Sequence, residues 1–84
     1  MVLFITSKSA YEEMKVLIHT GNHATWLASG ILSNDEIEKL WELDLDISVL
    51  DYVVDTSDEK DLECAMSTIR EHHPGKNIWA QYLN

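Results

Sequence analysis

The sequence predicts a single α/β domain of three layers (α/β/α), with a mainly parallel four-stranded sheet between helices. Three observations predict it. Apolar, strand-like runs alternate along the chain with segments of helical apolar spacing. Three segments read Ser/Thr-x-x-Glu, in which a hydroxyl and a glutamate cap a helix start reciprocally: Ser9 to Glu12, Ser33 to Glu36 and Thr56 to Glu59. Two of the runs, 2–5 and 47–54, are apolar on both faces, as parallel strands covered by helices on both sides are.

The elements follow in order. Val2, Leu3, Phe4 and Ile5 form the first strand. The first helix covers 10–20, where Ala10, Met14, Leu17 and Ile18 make one stripe with Tyr11 beside it. Gly21 stands where a left-handed residue ends a helix. Residues 24–29, with Trp26 and Leu27, form a shorter and more polar strand. The second helix covers 34–43 and turns Ile37, Leu40 and Trp41 inward. The third strand covers 47–54, with Asp51 interrupting one of its two apolar faces. The third helix covers 57–72: Leu62, Ala65, Met66 and Ile69 recur at helical spacing, and Pro74-Gly75 stops it. Residues 77–83, with Ile78, Trp79 and Tyr82, form the fourth strand.

The element order is therefore β-α-β-α-β-α-β, within one domain spanning 1–84. Placing the two most apolar strands centrally gives the spatial order 2-1-3-4. Right-handed crossovers then set the first helix on one face and the second and third on the other. One helix cannot cover a four-stranded face, so an exposed sheet face under the first helix, and with it a homodimer, is expected.

Charge narrows the function classes. The chain has 15 acidic and 6 basic residues, a net charge of −9. Such an excess argues against general affinity for nucleic acid or anionic membrane, since both require a positive surface. An apolar share of 45% argues against disorder. The acidity is local: residues 34–63 carry twelve acids against Lys39 and Lys60, and the flanking segments are close to neutral. The single cysteine, Cys64, cannot form an internal disulfide. The short apolar start lacks a signal-like basic region, so a cytoplasmic location is expected.

The leading expectation is a non-enzymatic protein-binding or regulatory module. Acids in the first turn of a helix are accounted for by the helix dipole. Glu42, Asp44 and Asp46 lie at or beyond a helix C-terminus, where that account fails. With Asp35, Glu38, Asp58, Asp61 and Glu63 they form the candidate surface for a basic partner protein, merged on one face by the expected layout.

A second reading uses the carboxyl ends of the strands, where open parallel sheets bind ligands at the reversal of strand order. The expected order puts this point between strands one and three, flanked by Thr6, Ser7, Lys8 and Ser9 and by Asp55, Thr56 and Ser57. Hydroxyls, free helix-start amides and Lys8 suit a small anion or a phosphoryl group. No glycine-rich nucleotide loop is present. Phosphoryl transfer to Asp55 would need carboxylates at the end of strand one, which ends in Thr6-Ser7. A third reading is a structural subunit that assembles with itself through its exposed sheet face.

No catalytic residue, metal ligand or cofactor is expected. His19, His23, His72 and His73 lack a metal-ligand spacing and suit helix C-termini. Cys64 is expected to be an inert thiol, buried or half-buried beside the apolar stripe. Trp26, Trp41 and Trp79 are expected in the core, or, for one on an edge strand, at an interface.

Overall fold

Strand and helix alternate throughout the computed structural model, which describes residues 1–55 and 57–80. The order is β1 (Val2–Ile5), α1 (Lys8–His19), β2 (Ala24–Leu27), α2 (Asn34–Glu42), β3 (Ile47–Val49), α3 (Glu59–His72) and β4 (Ile78–Ala80). The four strands form one parallel sheet in the order β3-β2-β1-β4. Val2 pairs in register with Ala24 on one side and Ile78 on the other, and Thr25 pairs with Ile47. The α/β class and the parallel sheet are as the sequence predicts. Beyond Ala80, the expected fourth strand lies outside the described residues.

The spatial order is not the expected one. Strand three does not sit beside strand one; β2 lies between them, and β1 is the strand flanked by β2 and β4. The apolarity of 47–54 does not come from a central position in the sheet. Only Ile47–Val49 is strand. Leu50 and Val54 are buried against α3, so their apolarity serves the crossover to the far face, while Tyr52 and Val53 are exposed. Conversely, β2 is internal although it carries Thr25, which is fully buried.

The corrected order moves the helices. The chain steps from β1 to β2 to β3 in one direction, so right-handed crossovers place α1 and α2 on the same face; the return to β4 places α3 on the other. The two cores agree. Leu3, Ile5, Leu27 and Ile47 pack with Ala10 and Ile18 of α1 and with Ile37 and Leu40 of α2. Val2, Phe4 and Trp26 pack with Leu62, Ala65, Met66 and Ile69 of α3. The second and third helices therefore do not share a face. The single-helix face lies under α3, and Leu50 and Val54 help to cover it. The exposed large apolar residues (Met1, Val16, Trp41, Leu43, Tyr52 and Val53) include no strand residue, so the exposed sheet face expected under the first helix is not found among the described residues.

Helix ends follow local chemistry. Ser33 forms the reciprocal box: its Oγ accepts from Glu36 N at 3.2 Å, and Glu36 Oε1 accepts from Ser33 N at 3.2 Å. The Ser9 box does not form as expected, and the Thr56 box falls on a residue outside the described ones. At α1 the cap is Ser7, whose Oγ accepts from Ala10 N at 3.0 Å; the extended backbone of Ser7, just past β1, starts the helix before Ser9 is reached. At α3 the cap is Asp58, a charged acceptor for Lys60 N at 2.9 Å, and Thr56 lies outside the described residues. Gly21, at φ +74°, ends α1 as expected. The end of α2 is less obvious. Asp44 N donates to Trp41 O and Leu45 N to Leu40 O, a Schellman turn in which Asp44, at φ 59°, stands in the position glycine usually holds. No helix among the described residues is long and apolar enough to cross a membrane.

Candidate functional site

Reversal of strand order falls between β1 and β4, not between strands one and three as expected. The expected ligand residues lie in two segments, one after β1 and one before α3. Each has local work. Thr6 and Ser7 are half-buried after β1, Ser7 caps α1, and Ser9 is exposed in its first turn. Lys8, the intended counter-charge, reaches Glu36 Oε2 at 3.1 Å. Asp55 Oδ1 accepts from Ser57 N at 2.9 Å and from Ser57 Oγ at 2.6 Å, which holds the Asp55 carboxyl below its ordinary range.

The histidines occupy separate settings. His19 Nδ1 lies 2.8 Å from Lys15 O. The His72 ring packs against the buried Trp26 ring, with centroids 5.3 Å apart and the planes tilted by 43°. His73 Nε2 accepts from Trp26 Nε1 at 3.0 Å. His23 Nδ1 is buried without a hydrogen-bond partner among the described residues. No group of three or more His, Cys, Asp or Glu side chains among the described residues is placed to hold a metal ion. Cys64 is exposed, contrary to expectation. Leu62, Ala65, Met66 and Ile69 define the buried stripe of α3, and at about 100° per residue Cys64 points to the opposite side.

The acids divide sharply. On the α3 side they are engaged. Asp58 caps the helix, Asp61 Oδ2 accepts from Asp55 N at 3.1 Å and so ties down the β3–α3 connection, and Glu63 lies 3.9 Å from Arg70. On the α2–β3 side they are not. No hydrogen bond or ion pair among the described residues engages the carboxylates of Asp35, Glu38, Glu42, Asp44 or Asp46, and all five residues are exposed. Asp35, Glu38 and Glu42 follow at i, i+3 and i+7, so they form one ridge along α2. Asp44 and Asp46 follow on the turn that leads into β3.

This ridge borders an apolar groove that the sequence did not disclose. Asn34, Ile37, Glu38, Trp41 and Val49 line a cavity of about 230 Å³ between α2 and the outer side of β3. Trp41 was expected to face inward, yet 51% of it is exposed. Its indole Nε1 donates to Ile47 O at 2.9 Å, which pins the ring against the strand. Leu43, 59% exposed, continues the apolar surface at the end of α2. The only sequence signal for this was the bracketing of Trp41 by Glu38 and Glu42; the deciding fact, that β3 is an edge strand, lies in the strand order.

Comparison of the chain with protein-family models, with curated proteins and with solved structures gives no match.

Proposed function

We propose that the chain is a non-enzymatic protein-binding module that meets a basic partner protein through its α2–β3 side. One observation carries this reading. Asp35, Glu38, Glu42, Asp44 and Asp46 are exposed and engage no described group, and they surround exposed Trp41 and Leu43, whereas Asp58 and Asp61 have structural work at the start of α3. Complementary charge speeds encounter and selects partners, while a desolvated tryptophan supplies affinity. The surface is thus smaller than the merged face expected from sequence: Asp35, Glu38, Glu42, Asp44 and Asp46 stay in it, and Asp58, Asp61 and Glu63 leave it. The anion-binding reading has less support, because Lys8 is paired to Glu36 and Ser7 to the α1 backbone.

The test is recovery of partners at low ionic strength with two baits, the native chain and a Glu38→Lys/Glu42→Lys variant. The native bait is expected to retain a specific basic protein, released by salt, that the variant does not retain. Recovery of the same proteins by both baits overturns the proposal.

A further inference from the structure

We infer that the outer edge of β3, with the groove over Val49, is a docking site for an extended basic segment that adds to the sheet as a fifth strand. The inference rests on the binding-module reading and gives its partner a backbone conformation and a side-chain pattern.

The edge follows from the hydrogen bonds. In a parallel ladder, alternate residues direct both main-chain groups to the same side. Asp46 O accepts from Thr25 N, and Leu50 N donates to Leu27 O, so the even-numbered residues of this segment face β2. Ile47 and Val49 therefore turn their amides and carbonyls outward. Ile47 O is taken by the Trp41 indole. Val49 N–H and C=O stand at the edge, beneath the groove that Val49 itself lines. A neighbouring strand would find one free donor and one free acceptor there, with a pocket directly beside them for one side chain.

Charge fixes the occupant. A second copy of this chain would bring its own Asp46 and its own α2 acids against these, and like charges across a strand pair destabilise it. Acidic side chains along an edge also act as a guard against self-pairing. A basic strand meets the opposite situation. Glu38 and Glu42 are one helical turn apart, about 6 Å along the axis. Same-face side chains of a strand are about 6.6 Å apart, so the two cations of a basic-x-apolar-x-basic segment stand about 13 Å apart and bracket the ridge rather than matching Glu38 and Glu42 one to one. A segment of pattern basic-x-apolar-x-basic places its apolar side chain against Ile37, Trp41 and Val49, with a cation on each side near the acidic ridge.

The probe is an acetylated, amidated peptide TKTVTKT. It is compared with TETVTET and with two versions N-methylated at alternate residues, one for each register of alternation. Binding is followed in the intact protein by the Val49 amide and Trp41 indole resonances. TKTVTKT is expected to bind at low salt and shift both, and TETVTET to leave them unmoved. One methylated register is expected to bind at least ten-fold more weakly than the other, because only one register blocks the edge-facing amides. Equal binding by both methylated peptides overturns strand addition and leaves the acidic surface reading standing. Failure of TKTVTKT to bind, while a basic partner still depends on Glu38 and Glu42, overturns this inference alone. Absence of both overturns both.

Discussion

Asp44 shows how one residue can carry two loads. An L-residue in the left-handed region is strained by roughly 1–2 kcal/mol, less for aspartate than for most. Asp44→Gly is therefore expected to raise stability by about 1 kcal/mol in urea melts while removing an exposed charge from the α2–β3 surface. Sequence reading marked Asp44 because it opposes the α2 dipole; it could not see that the turn geometry itself favours an aspartate there over most side chains. Ser33 is the complementary case, since its box was legible and forms. Ser33→Ala is expected to lower stability by about 1 kcal/mol in the same measurement. Glu36 adds a pH dependence. Its carboxyl is held below the ordinary value first by the Ser33 amide and then by Lys8. A carboxylate with a lowered folded pKa stabilises the fold above its unfolded pKa, and the contribution fades as pH falls through the folded one. Glu36→Gln is expected to flatten this part of the acid limb of stability against pH; an unchanged limb would contradict the assignment.

Element type was legible almost throughout, because it is written in local periodicity. Helical stripes placed α1, α2 and α3, and Val2–Ile5 read correctly as a strand covered on both faces. Element position was not. Nothing local in 47–54 separates a buried strand from a three-residue edge strand followed by an apolar crossover, since both need Ile47, Leu50 and Val54 buried. That ambiguity inverted the strand order, moved α2 away from α3 and hid the exposure of Trp41. Amide exchange reads the order directly. The Val49 amide is expected to exchange quickly, while that of Ser48, turned toward β2, and those of β1 exchange slowly. Slow exchange at Val49 would instead support an internal β3. Core energetics follow the same layout. Phe4→Ala in the flanked strand β1 is expected to cost about 3–5 kcal/mol, a large fraction of the stability of so small a domain.

At the scale of the molecule, the acid excess has two origins. At the start of α3, Asp58 caps the helix and Asp61 ties down its entry loop, so their charge is incidental to folding work. Around α2 and β3, Asp35, Glu38, Glu42, Asp44 and Asp46 have no intramolecular partner among the described residues, and they flank an exposed tryptophan and an open strand edge. The sequence localised the charge to 34–63 but merged the two groups, because only the tertiary layout separates them. The most direct test compares two variants of identical net charge, Glu38→Lys/Glu42→Lys and Glu59→Lys/Glu63→Lys, for affinity to the basic partner recovered at low ionic strength. The account predicts at least a ten-fold loss for the α2 pair and little change for the α3 pair. Equal losses would show that net charge alone governs binding and would contradict a built surface on α2 and β3.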